Sequence, residues 1–244
     1  MLRGAVVVTL VLGACGGAAQ EAPEQIGDSP ASSSAAPVAS AGPTATAVPT
    51  PTATYRPDTL DGITIALDAG HGPGDKGASG YCVDEEVTEA DVNLRTREIL
   101  QRLLESVGAT IYLVPQAPSR EARVEAAEDA GADVLLSIHH NGYEDSDLNY
   151  TMTFVSDEAD MLLASYVHPM LVEALALDNS EIQFEEFGMT SNGDIPAILT
   201  EATFITNDIE ACNFLGNQSR IEAEALALFH GLVAYFRGEG LTAR

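Results

Sequence analysis

Two histidines and a glutamate stand at matching places in this sequence. His71 follows the apolar run Ile63 to Leu67, His139 ends the run Val134 to Ile138, and Glu201 follows Ala197 to Leu199. Two imidazoles and one carboxylate suit a zinc ion that keeps a fourth position open. Water in that position becomes acidic enough to act as a hydroxide nucleophile near neutral pH. A lone histidine at a strand end is more simply a hydrogen-bonding cap, and a lone glutamate there is equally a cap or a general base. Two histidines at comparable strand ends shift that balance toward a shared cleft. The third metal ligand is left open by residue chemistry, because Asp84, Glu85, Glu86 and Glu89 all lie nearby.

The elements that must hold these residues alternate. Short buried strands are predicted at Ile63–Leu67, Thr110–Val114, Val134–Ile138, Thr151–Val155 and Ala197–Leu199. Helical spacing of Val92, Leu94, Ile99, Leu100 and Leu103 predicts a helix that Gly108 ends. Ser119 caps a second helix over Arg120–Ala130, and longer helices are expected over Glu158–Leu175 and Asn217–Phe236. Alternating strands and helices predict an α/β fold in three layers. A mostly parallel or mixed sheet of about six strands carries helices on both faces. In such sheets ligands gather outside the carboxyl ends of strands, where His71, His139 and Glu201 fall.

Four runs carry a family resemblance. Ile65-Ala-Leu-Asp-Ala-Gly-His-Gly72, Glu89-Ala-Asp-Val-Asn-Leu94, Ala132-Asp-Val-Leu-Leu-Ser-Ile-His-His-Asn141 and Pro196-Ala-Ile-Leu-Thr-Glu-Ala-Thr-Phe-Ile-Thr-Asn207 resemble, in order, the motifs of the zinc-dependent N-acetylmuramoyl-L-alanine amidases. The resemblance covers roughly residues 63–236. It implies Zn2+ held by His71, Glu89 and His139, with Glu201 as the catalytic carboxylate. The implied reaction is hydrolysis of the amide between N-acetylmuramic acid and L-alanine in peptidoglycan. Two alternatives are an inactive wall-binding module of the same fold and a zinc peptidase acting on another bond. The family's usual Lys after the second-motif Glu is Ala90 here, and its Thr-Arg after the second strand is Val114-Pro115.

The motif selects His139 over His140, since neighbours on a strand point to opposite faces. His140 then lines the cleft or contacts substrate. Asp68 is expected either to orient His71 through its second ring nitrogen or simply to form the turn, and Arg123 to form a structural ion pair. His168 and His230 lie within predicted helices and read as packing or surface residues. Gly72-Pro-Gly-Asp-Lys-Gly77 matches a dinucleotide fingerprint in letters only, because no helical pattern opens at Gly77. Some relatives carry a helical insertion after the third motif that blocks the site. The short run after Asn141 has no room for one, which predicts an open cleft.

Acidic residues outnumber basic ones, 37 to 11, for a net charge of −26. That balance excludes a phosphate-binding footprint and hence nucleic-acid partners. Residues 1–15 join Arg3 to a short apolar run ending Leu12-Gly-Ala-Cys15, which resembles a lipoprotein signal with lipidation at Cys15. Residues 16–57 are rich in Ala, Pro, Ser and Thr, and read as a disordered linker. Residues 58–244 then form the catalytic domain, expected as a monomer. It would be extracytoplasmic, anchored to the membrane and facing the cell wall. Cys82 and Cys212 remain, either paired as a disulfide or left as two thiols.

Overall fold

Val, Ile and Leu at both inward and outward positions of a strand leave no solvent face, so such strands belong in the middle of a layered sheet. The computed structural model places them there. It describes residues 59–238 apart from 117–118, 178–179, 186–187, 191–192 and 217. All lie in the unit Ala53–Arg244. The expected signal segment at 1–15 and linker at 16–57 fall outside the described residues.

In chain order the elements are β1 (Thr64–Ala69), β2 (Ser79–Cys82), β3 (Glu85–Thr88), α1 (Glu89–Ser106), β4 (Thr110–Leu113), α2 (Arg120–Asp129), β5 (Val134–Asn141), β6 (Met152–Val155), α3 (Glu158–Leu175), β7 (Glu181–Phe184), β8 (Ala197–Phe204), α4 (Asp208–Gly216) and α5 (Gln218–Arg237). Six strands form a sheet in the order β4-β1-β5-β8-β6-β7, while β2 and β3 make a separate antiparallel hairpin. The pairs β4–β1, β1–β5 and β5–β8 are parallel. Strand β6 runs antiparallel to β8 and pairs in parallel with β7. The sheet is therefore mixed, as expected.

One face of the sheet presents Ile65, Leu67, Val134, Leu136, Ile138 and Ile198 to the buried cluster that includes Leu100 of α1, Leu163 and Leu171 of α3, and Leu228 and Leu232 of α5. Burying each such side chain contributes about 1.5–3 kcal/mol. The alternate residues Asp68 and Ser137 face the other way. There Arg123 of α2 bonds Asp68, which puts α2 on the opposite face. Thr88 caps α1 by accepting the Asp91 N–H at 3.3 Å, and Ser119 caps α2 by accepting the Ala122 N–H at 3.2 Å. The segment 142–151 between β5 and β6 runs as coil and turn. Among the described residues no helix is long and apolar enough to cross a membrane.

The hairpin β2–β3, the edge strand β7 and the helix α4 go beyond the elements expected from sequence. Each of the three strands is four residues long and mostly polar or exposed, too short to print a periodic signal.

Candidate metal centre

Three strands deliver the site. On β5, residues Val134, Leu136 and Ile138 face the α1–α3–α5 side, so His139 faces the α2 side. On β8, Ile198 and Ala202 face the α1–α3–α5 side, so Glu201 faces the α2 side as well. The parallel register pairs His139 directly with Glu201, which sets the two side chains next to each other. His71 lies two residues past β1 in the left-handed backbone region, with φ 64°. That conformation is uncommon for a residue with a side chain. The imidazole from this turn reaches Glu89.

Glu89 opens α1, where the positive end of the helix dipole favours an acid. Its carboxylate lies between the two imidazoles. His71 Nε2 is 3.0 Å from Glu89 Oε2, and His139 Nδ1 is 2.9 Å from Glu89 Oε1. One ligand atom from each of His71, Glu89 and His139 lies within 4.8 Å of the others. Ala78 N–H donates to Glu89 Oε2 at 2.9 Å and His140 N–H donates to Oε1 at 3.2 Å. Burial works against the charge of Glu89, yet the two imidazoles outweigh it and hold the carboxyl well below its usual range. Burial likewise opposes charge on His71, but Glu89 and Asp75 outweigh it and raise its pKa to about 9.

Two glycines make the gathering possible. A Cβ on Gly70 would sit 2.2 Å from the His139 ring, and one on Gly77 would sit 2.4 Å from Glu89 Oε2 and 2.6 Å from the His71 ring. The cradle is shaped around these three side chains. Glu201 sits at its edge. Its Oε2 is buried and has no hydrogen-bond partner among the described residues. Burial first, and the nearby Glu89 charge second, push its carboxyl well above the usual range, with Arg120 pulling the other way. A buried polar atom left without a partner is uncommon in a folded protein. An oxygen of this kind, on a residue paired in register with His139 and within the field of Glu89, suits proton transfer. A cavity of about 330 Å³ is lined among others by Gly72, Lys76, Thr88, Asp91 and Gln116. Gly72 and Thr88 flank His71 and Glu89 along the chain, while His71, Glu89 and His139 themselves do not line it.

Glu86, the rival for the third position, is outside this group. It bonds Lys76 at 2.7 Å and Ser79 at 3.1 Å. Asp68 does not orient His71. It is fully buried against Arg123 at 2.8 Å and Ser137 at 2.7 Å, and Arg123 also donates to the His71 carbonyl at 3.1 Å. The partner of His71 Nδ1 is Asp75 Oδ2 at 2.8 Å. The Gly72–Asp75 bridge folds the loop back and brings Asp75 under the ring. The glycines around Pro73 were the available signal for that turn.

His140 does not line the cleft. It is buried on the other face against Asn93, Glu224 and the edge of Phe214. His168 packs inside, facing Thr153 at 3.0 Å. Cys82 and Cys212 form a disulfide that fastens β2 to α4.

A family model described as N-acetylmuramoyl-L-alanine amidase matches residues 65–229. The chain is 29% identical over 183 residues to "Probable cell wall amidase LytH" of Staphylococcus aureus, covering 75% of this chain and 62% of that relative. It thus spans less than two thirds of that relative's length. Its fold superposes with a TM-score of 0.65 on the amidase AmiC2 of Nostoc punctiforme, at 23% identity and covering 72% of this chain and 97% of the other. The catalytic domain of the amidase CwlV from Bacillus (Paenibacillus) polymyxa var. colistinus also gives a TM-score of 0.65. There the identity is 24%, with 71% and 98% covered.

Proposed function

This chain belongs to the N-acetylmuramoyl-L-alanine amidase family, and from that membership we propose that it hydrolyses the amide joining N-acetylmuramic acid to L-alanine in peptidoglycan. His71, Glu89 and His139 would hold a zinc ion, and Glu201 is the catalytic carboxylate. The observation that carries this reading is the unpartnered, buried Glu201 Oε2 on the strand rung shared with His139, one of three convergent ligand groups.

The donor set fits zinc. Two imidazole nitrogens and a carboxylate are the usual ligands of hydrolytic sites with an open position, and the Gly70–Gly77 cradle leaves room for nothing bulkier at its walls. When bound, the ion supplies Lewis acidity, which activates water and polarises a carbonyl. The chain's own residues do the rest. Asp75 fixes His71 so that Nε2 points into the site. Ala78 N–H and His140 N–H fix the two oxygens of Glu89. Glu201 takes a proton from the attacking water as the carbon–oxygen bond forms. It then gives that proton to the leaving nitrogen of L-alanine as the carbon–nitrogen bond breaks. A carboxyl biased toward its protonated form is suited to that second transfer.

The N-terminal residues complete the proposal. Residues 1–15 would export the chain and leave a lipid on Cys15, residues 16–57 would act as a spacer, and 58–244 would act as a monomeric catalytic domain outside the cytoplasm. The expected test is release of peptides from purified cell walls. Release should be abolished by Glu201→Gln and by a chelator, and should leave a lactyl group on the glycan with a new N-terminal alanine. Wall binding without release would point to a non-catalytic module. New termini inside the stem peptide would point to a peptidase. Membrane fractionation of Cys15→Ala tests the anchor: a chain still partitioning with the membrane would refute it.

A further inference from the structure

His140 plays no part in the reaction as proposed, yet it is the most tightly bonded side chain behind the site. Its ring is fully buried and Glu224, its partner on α5, is 1% exposed. Nδ1 lies 2.7 Å from Asn93 Oδ1, and Nε2 lies 3.0 Å from Glu224 Oε2. The orientation of Asn93 is settled by its surroundings. Its Nδ2 donates to the Gly70 carbonyl at 3.1 Å and toward Glu89 Oε1 at 3.5 Å. A flipped amide would set an oxygen against two acceptors, so Oδ1 must face His140. An amide oxygen cannot donate, so His140 Nδ1 carries a proton. His140 therefore reaches the metal-binding carboxylate by two routes. Its backbone N–H donates to Glu89 Oε1 at 3.2 Å. Its ring locks Asn93, which bonds the same oxygen.

Glu224 holds the ring from the far side. Its Oε2 accepts from Thr96 at 3.5 Å, while its Oε1 has no partner among the described residues. His140 is thus its principal partner. Phe214 meets the imidazole edge-on, with ring centroids 5.0 Å apart, and restrains its rotation. Stability gives no reason for such a pair, because replacing a buried ion pair by apolar residues of similar size is often neutral or stabilising. We infer that His140 and Glu224 are positioning residues: through Asn93 they fix the Glu89 carboxylate in the orientation that binds the metal.

This inference rests on the zinc reading, and the test separates the two. Zinc affinity is measured by competition with a chromophoric chelator for the wild-type chain and for the double variant His140→Ala/Glu224→Leu, which removes both hydrogen-bonding partners together. Folding is followed in parallel by thermal melting. The double variant should melt near the wild type but bind zinc about 10–100-fold more weakly, the usual effect of losing a group that orients a ligand. Its cobalt-substituted form should show a shifted ligand-field spectrum. A folded double variant with wild-type affinity overturns the inference, whereas a wild-type chain that binds no zinc overturns the metal reading beneath it. A second measurement needs no variant. In nitrogen-15 spectra of the zinc-loaded wild-type chain, His140 Nδ1 should carry a slowly exchanging proton. An unprotonated Nδ1 would overturn the inference even if the double variant failed to fold.

Discussion

Replacing Gly70 by alanine should disable the centre while leaving the fold intact. Gly70 follows β1, and its φ lies outside the left-handed region, so the backbone accepts a Cβ without strain. The new methyl would meet His139 Cε1 at 2.2 Å, Nε2 at 2.3 Å and Cδ2 at 2.6 Å, against the 3.4 Å at which ordinary contact begins. The ring must retreat by about 1.2 Å, and a displacement near 1 Å at a reacting centre costs about 10²-fold in rate. Because the atoms struck belong to a side chain that can rotate, the remainder of the sheet need not move. Global stability should stay within about 1 kcal/mol, helped slightly by the reduced freedom of the unfolded chain. The assay pairs zinc content after equilibrium dialysis with peptide release from cell walls, and adds a urea melt. A Gly70→Ala protein with normal zinc content and normal rate would refute the placement of His139. A protein that failed to fold would refute the claim that the collision is confined to the ring.

Four further outcomes are expected. Asp75→Asn should weaken zinc binding by about 10–100-fold through loss of the bond that orients His71, read by the same chelator competition. Arg123→Met leaves the buried Asp68 carboxylate with the Ser137 hydroxyl and the field of Arg97, and urea denaturation should show a loss of about 3 kcal/mol. Opening the Cys82–Cys212 bond, which closes 130 residues of chain, should cost about 2–5 kcal/mol in the paired serine variant. His168 gives a pH test. Burial lowers its pKa below the ordinary 6.5, so the unfolded chain binds a proton that the folded chain refuses. Its contribution is complete above pH 6.5 and is lost as pH falls toward the folded value. Thermal melts of His168→Leu should be flatter than wild type across that acidic window, and an unchanged slope would contradict it.

The main sheet was legible because its strands are continuous apolar runs and its helices carry 3.6-residue spacing. The bounds expected for α3, Glu158–Leu175, coincide with those found. Gathering of His71, Glu89 and His139 was legible from the four motifs and not from charge alone, since Glu86 and Glu89 are chemically alike. What separates them is helix placement: Glu89 opens α1, while Glu86 lies on a solvent-facing hairpin strand. The orientation of His71 was misassigned to Asp68 because Gly72-Pro73-Gly74 marks a turn without saying which carboxylate the turn brings to the ring. The role of His140 was missed because Glu224, the residue that explains it, lies 84 positions away. Strand alternation says that His140 faces away from His139, but not what waits there. The cysteine pairing stayed open because nothing in a linear spacing of 130 residues brings β2 to α4.

One rung of the β5–β8 ladder carries both His139 and Glu201, and parallel strands cannot slide by one residue without turning every side chain to the wrong side. The spacing between these two side chains is thereby written into the hydrogen-bonded backbone. The segment 142–151 leans on β8, since Phe204 N–H donates to Asn149 Oδ1 at 3.1 Å and the Thr151 hydroxyl donates to the Ala202 carbonyl at 2.9 Å. A change in either strand therefore moves both side chains together, and the shared rung acts as a fixed gauge.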